Sequence, residues 1–296
     1  MMTSESLLQR PIIIIGAPRS GTTVTGQILR HHPELCYLEE PRLTWRFKNH
    51  RKSDMLRPED ARPEVIAHIR ETFAARVAAA GKRRLLEKTP SNALRLPFID
   101  RVFPDAVYIH MIRNGYDSVL SIRDLTRKHA TGLPPHRRIL SRLRELQTRD
   151  LPIYGKEALR RFAPWLPGIG KPLWGPRIPG IDGLTRDLHP LEVSALQWRT
   201  CVEHACHFGR QLPDTRYLEM RLEDMSATQM QHILDFAGLD TAPSVNDALR
   251  DKFISGKSQQ RSLQADPHEL ERLAPWITPT MVWLDQRATE SAIASA

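Results

Sequence analysis

The chain has 296 residues, of which 41% are hydrophobic and 26% are charged. This is enough for one large α/β domain or two small ones, and it excludes a globally disordered chain. The formal net charge of +9 favours an anionic partner, which leaves nucleic acid, a membrane surface or a polyanionic small molecule. The basic residues are spread along the chain and no aromatic RNA-binding motif occurs, so nucleic acid is not favoured.

No apolar run approaches the roughly 20 residues that a membrane span needs, and residues 1–10 lack the basic and apolar regions of a signal peptide. We therefore expect a cytoplasmic protein without a membrane span. Cys36, Cys201 and Cys206 form no CxxC pair and are expected to be buried or incidental thiols. His204 and His207 lie beside Cys206, but helical spacing places positions 204 and 206 on different sides, so no metal is expected.

The first predicted element is a buried strand of a parallel sheet, because four isoleucines follow one another at Ile12–Ile15. A glycine loop from Gly16 to Gly21 follows, and then a helix over Thr22–Arg30. A strand, a glycine loop and a helix present backbone N–H groups and a helix N-terminus to a phosphate.

The glycine spacing matches the first half of a P-loop, but Thr22 stands where a P-loop has its lysine. A nucleoside triphosphatase needs that lysine on its β- and γ-phosphates. This loop offers Arg19 instead. Its guanidinium, the hydroxyls of Ser20, Thr22 and Thr23, and the N–H groups after Gly21 suit one anionic group.

Further strands and helices alternate along the chain. A short strand over Leu35–Leu38 delivers Glu39 and Glu40 to a strand end, where α/β sheets bind their ligands. The pattern then predicts a helix over 58–80 whose N-terminus lies at Pro58 or Pro63. It also predicts a strand over Arg84–Lys88, a helix capped by Ser91 or Asn92 that ends near Val102, a strand over Ala106–Ile112 and a helix over 116–128. This alternation predicts a P-loop-like, doubly wound parallel sheet flanked by helices.

Residues 131–190 are rich in proline, and we interpret them as a helical and irregular insertion that forms a substrate-side lid within a single domain over 1–296. Beyond it the pattern predicts helices over 191–210, 230–237 and 246–253, and a late strand over Thr215–Arg221. A last helical region over 266–290 is expected to break at Pro275 and Pro279.

A second anion site is predicted where Arg113 ends a strand and Ser121 lies on the following helix. The two sites together describe a nucleotide with separated phosphates. No aspartate ends an apolar strand in the manner of a Walker B element, since Asp105 precedes its strand. The chemistry is therefore expected to depend on cationic side chains rather than on Mg²⁺.

These motifs resemble the sulfotransferase superfamily, which transfers a sulfuryl group from 3′-phosphoadenosine 5′-phosphosulfate (PAPS). The loop Pro18–Thr23 is similar to the family's 5′-phosphosulfate loop, and the run Arg113–Ser121 is similar to its 3′-phosphate motif. The run Pro18–Arg42 resembles the tyrosylprotein sulfotransferases without a gap, and Arg221-Leu-Glu-Asp224 resembles a later strand end of the family.

The resemblance implies a role for each matched residue. Glu40 falls on the catalytic base, with Glu39 as the competing candidate, and Lys88 falls on the catalytic lysine that, with Arg19, stabilises the leaving phosphate. The implied PAPS-binding residues are Arg19, Ser20, Gly21, Thr22, Thr23, Arg113 and Ser121. Lys257 and Arg261 remain candidates for closing over the nucleotide.

The chain also departs from the family pattern. Leu222 stands where a tyrosine is common, and the chain shows no membrane anchor or disulfide pattern like those of the Golgi enzymes. A cytosolic, bacterial-type enzyme that acts on a small-molecule, glycan or lipid hydroxyl is the favoured interpretation, with the oligomeric state open. The alternatives are a nucleotide kinase or triphosphatase with a degenerate P-loop, and a basic, non-enzymatic nucleic-acid-binding protein.

Overall fold

A computed structural model describes residues 4–130, 174–254 and 260–294 of the chain. Most of the predicted insertion, residues 131–173, and the candidate Lys257 lie outside the described residues. Within the described part, no helix is long and apolar enough to cross a bilayer.

The centre of the fold is a parallel sheet of five strands in the order β2-β3-β1-β4-β5. Its strands are β1 (Ile12–Ile15), β2 (Leu35–Glu39), β3 (Arg84–Lys88), β4 (Val107–Ile112) and β5 (Tyr217–Arg221). β1 and β3 have the predicted bounds, and the other three differ from prediction by one or two residues at an end. The predicted parallel α/β sheet is confirmed.

Helices cover both faces of this sheet. They are α1 (Ser4–Leu7), α2 (Thr22–Leu29), α3 (Arg42–Trp45), α4 (Pro63–Ala79), α5 (Leu96–Val102), α6 (Gly115–Ala130), α7 (Ile181–Asp187), α8 (Pro190–Gly209), α9 (Ala227–Ala237), α10 (Pro243–Leu249) and α11 (Pro267–Ala294). Short 3-10 helices cover Pro58–Asp60, Pro90–Leu94 and Arg261–Gln264, and a π-helical turn covers Arg250–Ile254.

The isoleucine run of β1 supplies both hydrophobic cores. Successive side chains of a strand point to opposite faces, so Ile12 and Ile14 pack into the core beneath α2, α9 and α10. Ile13 and Ile15 pack into the larger core beneath α4, α5, α6, α8 and α11. All four side chains are fully buried, which explains why the run is continuous rather than alternating.

Two local predictions for the helices were wrong. Neither Ser91 nor Asn92 caps a helix that reaches Val102, because both side chains hydrogen-bond elsewhere: Ser91 Oγ accepts from Arg95, and Asn92 donates to Glu87. The chain forms the 3-10 helix Pro90–Leu94 there, and α5 starts afresh at Leu96.

The last helix, α11, is also continuous through the two prolines that were expected to break it. An internal proline costs a helix about 3 kcal/mol. Here Leu273 and Ile277 are fully buried in the larger core, and Thr280 donates a 2.6 Å hydrogen bond to Glu203 of α8. Packing of this kind offsets the intrinsic cost of the prolines.

Candidate functional site

The glycine loop between β1 and α2 has a backbone that few side chains would permit. Gly16 has a φ of +155°, and a Cβ there would lie 2.4 Å from the carbonyl oxygen of Met111. Gly21 has a φ of +88°, and a Cβ there would lie 2.4 Å from Leu222 Cδ1. Arg19 also adopts a positive φ, of 70°. The two glycines therefore allow the loop to fold tightly over the end of β4 and the residue that follows β5.

This loop leaves polar groups available at the start of α2. Gly21 is the N-cap residue, and no side chain caps the helix, so its first N–H groups are available to an anion. The hydroxyl of Ser20 is fully buried and finds no hydrogen-bond partner among the described residues. A buried polar group is normally satisfied, so this hydroxyl fits a loop that holds an oxyanion.

Lys88 connects the glycine loop to the two adjacent carboxylates. It is the last residue of β3 and its side chain is fully buried. Its Nζ donates to Thr23 Oγ1 at 2.9 Å, to Glu40 Oε1 at 3.1 Å and to Glu39 Oε1 at 3.2 Å. The structure therefore brings together the lysine, the loop threonine and both base candidates that the sequence predicted.

Glu40 is held in an unusual conformation between two cations. Its φ is +53°, and its backbone N–H donates to the Lys88 carbonyl at 2.8 Å. Arg42 donates to Oε2 at 2.6 Å, whereas Lys88 holds Oε1. Burial opposes ionisation of this carboxyl, but the charges and hydrogen bonds of Arg42 and Lys88 outweigh it and lower the pKa of Glu40 to about 2. Glu40 is therefore ionised throughout the physiological pH range.

The second predicted anion site is joined to the first through Arg19. The Nε of Arg19 donates to Ser121 Oγ at 3.0 Å, and Arg113 donates to the Arg19 carbonyl at 3.2 Å. Arg113 is only 6% exposed. Burial lowers the pKa of its guanidinium, and the nearby charges of Arg261 and Arg19 lower it further, against the opposing effect of Asp117. Burying cations of like charge together is costly unless an anion joins them.

Arg261 lies beside this cluster, as the sequence left open. Its Nε donates to Asp124 at 3.1 Å, and the N–H of Ser262 donates to Asp117 at 2.8 Å. Both acceptors are on α6, the helix that starts after Arg113. The 3-10 helix Arg261–Gln264 is thus fastened to α6, a contact that no sequence motif indicated.

Sequence reasoning missed the buried carboxylate of Glu87, next to Lys88. It is fully buried and accepts from Trp45 Nε1 at 2.9 Å, from Thr89 Oγ1 at 2.5 Å and from Asn92 Nδ2 at 2.8 Å. Burial raises the pKa of Glu87 to about 7, against the opposing effect of these hydrogen bonds. The available signal was an acidic residue inside a short strand that is otherwise buried.

One other cluster has metal-ligand chemistry. Among the described residues, His110, Cys206 and Glu219 lie close enough to hold an ion. Both oxygens of Glu219 already accept from Arg210, at 2.7 and 2.8 Å, and the Tyr217 hydroxyl is 2.6 Å from His110 Nδ1. Burial lowers the pKa of His110 to about 4. The cluster is therefore a neutral imidazole of β4 beside a satisfied ion pair that joins β5 to the residue following α8.

The three cysteines are free and buried, as expected. Burial raises the pKa of the Cys36 thiol and that of the Cys206 thiol. His204 contacts the Ala93 carbonyl while Cys206 faces His110, so positions 204 and 206 point in different directions, as the helical spacing predicted.

A parallel sheet with an uncapped glycine loop after its first strand, and with charged residues at the ends of the neighbouring strands, defines a P-loop-like α/β protein. Residues 11–149 match a sequence model described as "Sulfotransferase family". Across 94–95% of the chain, the fold resembles the sulfotransferase domain of the Synechococcus PCC 7002 olefin synthase (TM-score 0.50, 17% identity, 96% of that chain) and sulfotransferase STF9 from Mycobacterium avium (TM-score 0.51, 16% identity, 76% of that chain).

Curated relatives show similarity over the first part of the chain. The nodulation protein NoeE of Sinorhizobium fredii is 30% identical over 138 residues, which cover 40% of this chain and 33% of NoeE. Protein-tyrosine sulfotransferase A of Caenorhabditis elegans is 34% identical over 122 residues (38% and 32%). Protein-tyrosine sulfotransferase 2 of Gallus gallus is 31% identical over 132 residues (40% and 35%). The matched segment spans about a third of the length of these relatives. The comparisons confirm the predicted resemblance to the sulfotransferase superfamily.

Proposed function

We propose that this protein transfers a sulfuryl group from PAPS to an acceptor hydroxyl by in-line displacement. The observation that carries the proposal is the position of Lys88. Its ammonium contacts Thr23 of the glycine loop on one side and the proposed base Glu40 on the other, within 3.1 Å of both. A group bound at the loop would thus lie beside both a cation and a carboxylate.

The residues of the site fit PAPS as a co-substrate. The start of α2, the Ser20 hydroxyl and the side chains of Thr22 and Thr23 would hold the 5′-phosphosulfate. Arg113 and Ser121, bridged by Arg19, would hold the 3′-phosphate. When bound, PAPS supplies the sulfuryl group and a phosphate leaving group.

The cations of the site are placed to stabilise charge on the leaving phosphate. Charge grows on the bridging oxygen of the leaving phosphate during displacement, and fixed donors aimed at that oxygen lower the barrier. Lys88, Arg19 and the N–H groups after Gly21 would provide these donors. They are held in place by β3 and by the loop before any substrate binds, which avoids the cost of reorganisation.

Glu40 would accept the proton of the acceptor hydroxyl. Because its pKa is about 2, it is already ionised at neutral pH, but Arg42 and Lys88 make it a weak base. Binding of the acceptor would have to draw at least one cation away from it. Glu39, which also contacts Lys88 but is more exposed, remains the competing candidate.

The acceptor is proposed only as a class: a small-molecule, glycan or lipid hydroxyl. The names of the relatives refer to tyrosine sulfation and to nodulation. The cytoplasmic location and the absence of a metal requirement stay predictions.

The proposal is tested by a transfer screen with labelled PAPS across phenols, sugars and lipids, in the presence of EDTA, with mass-spectrometric identification of the product. We expect Lys88→Met to abolish transfer. Lys82→Met is the matched control, because the half-buried Lys82 donates its ammonium to the Pro33 carbonyl rather than to a residue of the proposed site. Strict Mg²⁺ dependence with ATP turnover would refute the proposal in favour of a kinase or triphosphatase.

A further inference from the structure

We propose that Glu87 is a positioning residue, which holds the strand end that carries Lys88 and the turn that carries Glu40 in one fixed arrangement. The expected effect of this positioning on the rate of transfer rests on the proposed function. Glu87 stands in the run Glu87–Pro90 that carries part of the family resemblance, but that resemblance gives a role only to Lys88.

Glu87 and Lys88 point to opposite faces of β3. Lys88 faces α2, where it meets Thr23, whereas Glu87 points into the larger core, where it meets Trp45. Trp45 is the last residue of α3, which begins two residues after Glu40. The segment that carries the proposed base is therefore contacted from both faces of β3: by the Lys88 ammonium on one face and by the Glu87 carboxylate on the other.

Two connections tie that segment to β3. On one side, the Glu40 N–H donates to the Lys88 carbonyl at 2.8 Å. On the other, the Trp45 indole donates to Glu87 at 2.9 Å. The same carboxylate also holds Thr89 and Asn92, which fixes the chain directly after Lys88. The carboxylate of Glu87 thereby holds both the segment that carries Glu40 and the chain that follows Lys88.

The backbone of Glu40 shows why such fixing is needed. A non-glycine residue at a φ of +53° is strained by about 1 kcal/mol or more, and it persists only where its surroundings determine it. Relaxation of this turn would move the carboxylate away from Lys88. The Trp45–Glu87 hydrogen bond restrains the helix that follows the turn and so opposes that relaxation.

The electrostatics of Glu87 support this interpretation. The charged groups that act on it are Lys88 on its own strand and Arg95 after the 3-10 helix, and both lower its pKa, but burial dominates. Glu87 also acts on Tyr37 of β2: burial raises the pKa of Tyr37, and the charges of Glu39 and Glu87 raise it further. An apolar residue would suit this core position better. A carboxylate there costs stability, which is typical of a functional constraint.

The test compares Glu87→Met, which removes all three acceptor contacts, with Glu87→Gln, which keeps a carbonyl oxygen for Trp45 and Thr89. Asn92 can then turn its amide to accept from the new NH₂ group, since its Oδ1 has no hydrogen-bond partner in the part of the chain that the structure describes. We expect Glu87→Met to lower kcat at least 30-fold with an unchanged Kd for adenosine 3′,5′-bisphosphate. We expect Glu87→Gln to keep kcat within about threefold, because its carbonyl oxygen still accepts from Trp45 and Thr89.

A second variant tests the same inference if Glu87→Met does not fold. Trp45→Phe removes the indole donor and keeps a smaller aromatic ring among Phe73, Phe98 and Phe103, and we expect a loss of about tenfold in kcat at unchanged nucleotide affinity. Trp283→Phe, at a partly buried tryptophan beside Arg210, is the matched control and should retain wild-type kcat.

Two readouts do not require turnover. In the wild type, the Trp45 indole N–H resonance should titrate near pH 7, and in Glu87→Gln it should not. In crystals of Trp45→Phe, Glu40 should leave its positive φ and lose its contact with Lys88. If the wild type transfers no sulfuryl group, the proposed function fails, and these two readouts still decide the role of Glu87. An unchanged Glu40 conformation, or wild-type kcat in Glu87→Met, would overturn the inference.

Discussion

Replacing Arg113 by alanine should weaken the binding of adenosine 3′,5′-bisphosphate by about 2 kcal/mol. Arg113 is 6% exposed and lies directly after β4, where it contacts the Arg19 carbonyl at 3.2 Å. A hydrogen bond between charged groups contributes about 1.5–3 kcal/mol. Since about 1.4 kcal/mol corresponds to a tenfold change in Kd, the expected loss is about 30-fold.

Isothermal titration calorimetry measures this loss directly. Arg216→Ala is the matched control: it removes the same charge, but Arg216 lies before the start of β5, where it pairs with Asp100 and contacts the Ala106 carbonyl. Its Kd should stay within about twofold of wild type. Equal affinity of Arg113→Ala and wild type would refute the assignment of Arg113 to the 3′-phosphate. Equal losses in both variants would show that overall charge, rather than a site, binds the nucleotide.

Three other changes have distinct expected outcomes. Glu40→Gln should keep nucleotide affinity and lower turnover at least 100-fold, as is typical of a lost general base. Glu39→Gln should lower turnover less, and a larger loss of turnover in Glu39→Gln than in Glu40→Gln would make Glu39 the base. Gly16→Ala should fail to accumulate as folded protein, or lose several degrees of Tm, because its Cβ would clash with the Met111 carbonyl at 2.4 Å; a wild-type melting curve would contradict the loop geometry. The pKa of Glu87 is raised in the folded state from 4.5 to about 7, so the folded protein binds the proton more tightly and its stability falls as pH rises through this range. Relative to Glu87→Gln, wild type should lose about 3 kcal/mol of its free energy of unfolding between pH 4.5 and 8. If urea denaturation gives the same difference between the two proteins at both pH values, the buried ionisation is excluded.

The sheet was predictable because each strand has a local signature. The run Ile12–Ile15 matches the observed strand, since a short apolar run bounded by turn residues leaves little alternative, and the predicted strand Arg84–Lys88 also has the observed bounds. The carboxyl ends of parallel strands lie at one edge of a sheet. Lys88 ends one strand and Glu40 follows the end of another, so both belong at that edge, and the 3.1 Å contact between them agrees with this.

What the sequence could not show depends on contacts between distant segments. The continuity of α11 through Pro275 and Pro279 is decided by packing against α8 and α6, which local propensity does not contain. The attachment of Arg261 to α6 joins residues far apart in the chain. The role of Glu87 as an acceptor for Trp45 depends on a contact between α3 and β3, which no periodicity reveals.

The central claim is that the glycine loop binds a phosphosulfate donor and that the site transfers its sulfuryl group without Mg²⁺. The most direct measurement offers PAPS and ATP together with an acceptor found in the screen, with either EDTA or excess Mg²⁺, and follows both nucleotides by mass spectrometry. We expect PAPS to be converted to adenosine 3′,5′-bisphosphate at the same rate in both conditions, with sulfated product formed and ATP untouched. Consumption of ATP only with Mg²⁺, while PAPS stays intact, would contradict the claim.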